Sequence, residues 1–155
     1  MTSSSNLQPY APNFEGVVAA LIDFKDTSPS DSAFKLFGVE LTCFEDVTQG
    51  NALYIRASDG KVGKARANGT LDEAVVTGVA ETTKTAGETV RAIVVGQAAV
   101  AQTLDAGDLF FLSATTPGHL TKTPPSAAGQ YVTLIGEAPN NTELTVKIRR
   151  PILLR

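Results

Sequence analysis

The chain has 155 residues, enough for one domain with a real core, and its 43% hydrophobic share excludes wholesale disorder. Net charge is −3 at pH 7 with only 19% charged residues, so neither a basic nucleic-acid face nor a basic membrane-surface patch is expected. The single cysteine, Cys43, forbids an intramolecular disulfide, and with a single histidine, His119, most zinc sites are removed as well.

Residues 1–16 read as an extended N-terminal arm. Ser3, Ser4, Ser5, Asn6, Gln8, Pro9, Pro12 and Asn13 offer too little apolar surface to offset the entropy of ordering. Leu7, Tyr10 and Phe14 interrupt this polarity. Two readings stay open: a frayed end, or an arm that docks these three side chains on a neighbouring subunit. The arm's first residues, Met1 to Asn6, have no basic or apolar stretch of the signal-peptide kind. Together with the lack of an apolar run of membrane-spanning length, this predicts synthesis in a cytoplasm.

A single β-domain is expected over 17–155. Val17–Lys25 is an apolar run of strand length, and Phe34–Phe44 alternates as a strand. Further strands are predicted at 52–57, 61–66, 74–80, 88–95, 98–102, 109–113, 119–122, 131–138, 143–149 and 151–154, with a hint of helix at Leu71–Val75. The turns between them carry strong signals: Ser58-Asp59-Gly60, Asn68-Gly69, Asp105-Ala106-Gly107, Pro117-Gly118 and Asn140-Asn141. Short, closely spaced antiparallel strands predict an all-β fold, a compact sandwich or barrel.

A pattern recurs at a spacing of about 57 residues. Gly50 matches Gly107, and Ala52-Leu53-Tyr54-Ile55 matches Leu109-Phe110-Phe111-Leu112. With one extra turn residue, Gly60-Lys61-Val62 matches Gly118-His119-Leu120, and Val75–Ala80 is set against Val132–Glu137. The two β-units run over about 49–96 and 106–154.

No constellation for chemistry stands out. Asp105/Asp108, Asp72-Glu73 and Glu45-Asp46 could be acid/base pairs only at suitable separation, and Asp beside Gly is what turns use. His119 has no evident nucleophile partner, there is no GxSxG elbow, and Cys43 beside Phe44 reads as a small buried hydrophobe. Gly60-Lys61-Val62-Gly63-Lys64 lacks the spacing of a phosphate loop and reads as a hairpin. No catalytic residue, cofactor or metal is therefore expected. At the other end, Arg149-Arg150-Pro151-Ile152-Leu153-Leu154 sets an apolar run beside basic residues. Such a run either closes the sheet or docks on a partner, so Ile152, Leu153 and Leu154 join Leu7, Tyr10 and Phe14 as candidate partner-binding residues.

These residues carry a resemblance. The stretch QGNALYIRASDGKV…AVVTGVAETTKTAGETVRAIVVG, from Gln49 to Gly96, resembles head-decoration (capsid cement) proteins of tailed bacteriophages. The stretch from Ala106 to Leu154 resembles modules of phage tail-fibre and other virion proteins. The resemblance implies a structural virion protein, a homotrimer on the capsid surface, whose partner is the major capsid protein lattice. A tail-fibre or baseplate module is the alternative it allows. A carbohydrate-binding β-domain ranks below both, since the chain has no Trp and only 6% aromatic residues.

Overall fold

The structure, a computed structural model, describes residues 37–155. The arm, with Leu7, Tyr10 and Phe14, and the run Val17–Lys25 lie outside the described residues. The described residues belong to one compact unit. Its elements are β1 (Phe37–Thr42), β2 (Ala52–Ile55), β3 (Val62–Lys64), α1 (Leu71–Ala74), β4 (Gly78–Ala80), β5 (Thr89–Ala99), β6 (Leu109–Leu112), β7 (Leu120–Thr121), β8 (Tyr131–Val132), β9 (Leu134–Glu137), β10 (Glu143–Val146) and β11 (Ile152–Leu153). The unit is nearly all β, as the strand–turn pattern predicts. Nine strands make one large antiparallel sheet that curls into a half-barrel.

The sheet runs β3-β2-β4-β5-β10-β9-β6-β7, with β1 also paired to β5. From the β5–β10 pair outward, the order is the same on both sides. β5, β4, β2 and β3 answer to β10, β9, β6 and β7. The hydrogen bonds repeat too. Gly50 N–H donates to the Ala80 carbonyl at 2.8 Å, and Gly107 N–H to the Ala138 carbonyl at 2.7 Å. Both glycines hold φ near +92° and +91°, a left-handed conformation that a side chain would strain. These bonds set Gly78 against Gly136, one residue later than sequence comparison does. The extra residue in the second copy's first turn accounts for the slip.

The repeat also begins earlier than its sequence trace. Cys43 N–H bonds Glu88 O at 2.8 Å, and Val100 N–H bonds Thr142 O at 2.9 Å. Val47 and Leu104, each 2% exposed, plug matching places. Each copy then curls back on itself by a different device. In the first, Phe44 N–H bonds Val62 O at 2.9 Å, next to the parallel Cys43–Val62 bridge. In the second, the Gln102 side chain substitutes for main chain: its Nε2 donates to Leu120 O at 2.6 Å, and its Oε1 accepts from Leu120 N–H at 3.2 Å.

Several strands differ from expectation. The expected strand 131–138 divides at Thr133 into β8, which pairs with β11 in a separate ribbon, and β9, which joins the large sheet. Residues 88–95 and 98–102 are not two strands but one, β5, running through Gly96. Gly96 holds φ +112°, so the strand passes where a side-chain residue would break it. The expected strand 74–80 shrinks to Gly78–Ala80, because Ala74 closes α1.

The core is shared between the copies. Ala52, Tyr54, Val79 and Ile93 pack with Phe110, Leu112, Ile135 and Leu144 in one cluster. A second cluster, with Cys43, Val47, Leu53, Val62 and Val90, belongs to the first copy alone. Each fully buried Leu or Ile contributes about 1.5–3 kcal/mol. At the first copy's hairpin, the Arg56 guanidinium sits 3.8 Å over the Phe44 ring and grips Asp59 at 2.6 and 3.1 Å. Phe44 in turn meets Tyr54 edge to face, with centroids 5.9 Å apart.

Replacing Gln102 with Ala removes both bonds to Leu120 and leaves a main-chain pair short of partners. Denaturant unfolding should show a loss of about 1–3 kcal/mol with the m-value unchanged; an unaltered midpoint would mean that the second copy closes without Gln102. The Arg56 hydrogen bond, then the Lys61 amide, hold the Asp59 carboxyl at about 2, below its ordinary 3.8. A depressed folded value means that this contribution is fully present above 3.8 and is lost as the pH falls toward about 2. The pair is exposed, so solvent screening keeps the effect small. Thermal unfolding across that window should fall less steeply for Asp59→Asn than for the wild type; parallel curves would exclude the pair as a source of acid sensitivity.

Candidate docking surface

A one-turn helix builds one wall of the candidate surface. Thr70 caps α1, its Oγ1 accepting from Glu73 N–H at 3.3 Å while the Glu73 carboxylate accepts from Thr70 N–H at 3.0 Å. This reciprocal cap lets so short a helix exist. Arg66 steadies the same carboxylate at 3.5 Å. The helix buries Ala74 and turns Leu71 and Val75 outward, 54% and 45% exposed. Its last carbonyl is tied across the copies: the buried Thr133 hydroxyl donates to Ala74 O at 3.1 Å. Thr133 lies between β8 and β9, just ahead of the register shift between Leu134 and Gly136 where β9 pairs with β6.

The other wall is the end of the chain. Ile148, Arg149, Arg150 and Pro151 face Leu71, Val75 and Val76 across a groove of 280 Å³. Beyond Pro151, β11 pairs antiparallel with β8, Ile152 opposite Val132 and Leu153 opposite Tyr131. Leu154 N–H donates to Gln130 O, and Gly129 N–H to Leu154 O, both at 2.8 Å. The ribbon is moored to the first copy through Tyr131 N–H and Ala67 O, also 2.8 Å. The backbone of the apolar end is thus tied down in a ribbon of its own and does not extend the large sheet. Its side chains are not covered: Ile152 is 65% and Leu153 43% exposed, while Leu154 is half-buried.

Ile152, Leu153 and Leu154 thus follow directly on the groove that Leu71, Val75 and Arg149 line; Leu71 and Val75 read in the sequence as a helical turn and not as docking residues. The Thr70…Glu73 cap was the available signal, since it predicts a helical turn whose i and i+4 positions are Leu71 and Val75. Among the described residues, no carboxylate lies within ion-pair distance of Arg149, Arg150 or Arg155. A second exposed apolar pair, Phe37 and Val95, lies across β1 and β5.

The residues weighed for chemistry sit apart. Asp105 and Asp108 both face the Lys122 ammonium, at 2.7 and 3.6 Å, and the Asp105 hydrogen bond leads in raising the Lys122 pKa. Glu45 accepts from Lys64 N–H at 2.8 Å, and Asp46 from Ala86 N–H at 2.9 Å. Cys43 is 1% exposed, and burial leads in pushing its thiol pKa up. His119 is an exposed residue after the Pro117-Gly118 turn, its N–H bonded to Thr116 O. Gly60-Lys61-Val62-Gly63-Lys64 is one arm of the β2–β3 hairpin, Val62–Lys64 forming β3 itself. Among the described residues, no group of three or more His, Cys, Asp or Glu side chains could hold a metal ion, and no helix is long and apolar enough to cross a membrane.

In comparisons of sequence, no family model matches this chain, and no curated protein matches it significantly.

Exchanging Thr133 for Val keeps the shape and leaves the Ala74 carbonyl buried without its donor. A cost of about 1–3 kcal/mol is expected in chemical denaturation. Amide exchange should quicken first in α1. Unchanged protection at Leu71–Val75 would show that the helix does not depend on this bond.

Proposed function

We propose that the protein is a structural part of a phage virion, a capsid decoration protein that binds the outside of an assembled head and stabilises it. The carrying observation is a firmly moored strand, β11, that leaves Ile152 and Leu153 bare beside an apolar groove. A soluble monomer gains nothing from holding such residues outward, whereas an assembly part buries them on its neighbour. The resemblance of residues 49–96 to head-decoration proteins and of 106–154 to tail-fibre modules supplies the setting.

The mechanism is linkage. A part that binds only the assembled shell stabilises that state by its binding free energy, and many copies add up though each contact is modest. The partner in this reading is the major capsid protein lattice, and the protein acts as a homotrimer. Leu7, Tyr10 and Phe14 would anchor the arm on the shell. A tail-fibre or baseplate module is the second reading, favoured by the likeness of the C-terminal half.

Mixing the purified protein with shells that lack it, followed by electron microscopy, should show lattice-regular density on the outer surface. Bare shells would overturn the decoration role. A few copies confined to the tail of intact particles would select the second reading.

A further inference from the structure

The backbone of β11 has one used edge and one open edge. Leu154 donates to Gln130 on the β8 side, and an antiparallel ladder alternates, so the Leu153 N–H and C=O point the other way. No described strand stands there: among the described residues, β8 is the only neighbour of β11. An open edge with exposed apolar side chains is a template for another strand. Natural proteins usually blunt such an edge with a charge or proline within it. Here Pro151 and the charges stand at its ends, and Ile152-Leu153-Leu154 is left uninterrupted.

The flanking charges select the occupant. Arg150 stands before the apolar run and Arg155 after it, both exposed and, among the described residues, without a carboxylate partner. Arg149 lines the adjoining groove. A second β11 laid antiparallel would set Arg150 of one copy near Arg155 of the other, and like charges facing across strands repel. A segment with Asp or Glu at both ends of an apolar centre meets both arginines with charge-assisted hydrogen bonds and covers Ile152 and Leu153. We infer that β11 accepts an extended partner segment of this kind, an apolar strand bracketed by carboxylates, added to its open edge. Main-chain bonds to Leu153 supply register, and the two arginines select the partner and speed encounter. The inference deepens the assembly reading by naming the contact and the chemistry of what it meets.

The test uses the full chain, labelled with nitrogen-15, and the capped peptide Glu-Glu-Val-Thr-Val-Thr-Val-Glu-Glu. Saturable amide shifts are expected at residues 148–155 and 71–76, shrinking as salt rises. A twin peptide with Lys in place of every Glu should leave the spectrum unchanged. Arg150→Glu combined with Arg155→Glu changes two exposed side chains, so the spectrum should stay dispersed while binding weakens at least about fivefold. The inference is overturned by no saturable shift into the millimolar range, by equal response to both peptides, or by shifts that map elsewhere. Shell binding that persists when the peptide fails would remove this edge and leave the assembly role standing. Peptide binding without shell binding would do the reverse.

Discussion

Strands of two to four residues do not hold together in water, because too few ladder bonds and too little buried surface offset the ordering of the chain. Here β5 supplies what they lack. Its first half is paired on both edges, with β1 on one and β4 on the other; its second half carries β10. Eleven residues thus bind both copies into one sheet. The join is close: Gly96 stands opposite Val146, and a side chain at Gly136, on the next strand over, would run into the Thr145 carbonyl. With β5 in place, the half-barrel follows as two similar hairpin systems grown outward from its centre.

The two β-units differ in what they bury. Ala52 and Leu109 occupy matching positions, yet Ala52 is fully buried and Leu109 is half exposed. All of Ala52-Leu53-Tyr54 is buried, because the first copy packs one face on the shared core and the other on its own cluster. In β6 only Phe110 and Leu112 turn inward. The closing devices differ as well, main chain at Phe44 in one copy and the Gln102 amide in the other. A side chain that mimics a peptide group can end a sheet where another strand would have to continue it.

The same economy explains the docking surface. β5–β10 and the Tyr131–Ala67 bond join the two β-units on two sides, and the chain beyond Ile148 leaves the large sheet. Among the described residues it pairs with the short β8 alone. The ribbon satisfies half of its backbone groups and faces its apolar side chains away from the core. α1 lies beside it because Thr133, between β8 and β9, reaches the Ala74 carbonyl. The groove is thus a product of how the repeats meet, with Arg149 and Arg150 carried to it by the strand that leaves β10.

Much of this was legible in local chemistry. Turn signals at Ser58-Asp59-Gly60 and Pro117-Gly118 placed the hairpins, and Gly50 and Gly107 announced the repeat, since their left-handed backbone is one that few other residues accept. The all-β class and the apolar character of Ile152-Leu153-Leu154 needed nothing more than pattern. Pattern could not say that β5 runs unbroken through Gly96, because a glycine reads as a turn until a strand is found on each side of it. Nor could it tell the two-sided burial of β2 from the one-sided burial of β6, as ALYI and LFFL are equally apolar. Sequence by itself determined the all-β class and the turns, which depend on neighbours a few residues away. Tertiary structure alone decided which faces are covered, that among the described residues β11 pairs along one edge, and that Leu71, Val75 and Arg149 line the groove before it. Those depend on pairings between residues far apart in the chain, and no local preference encodes them.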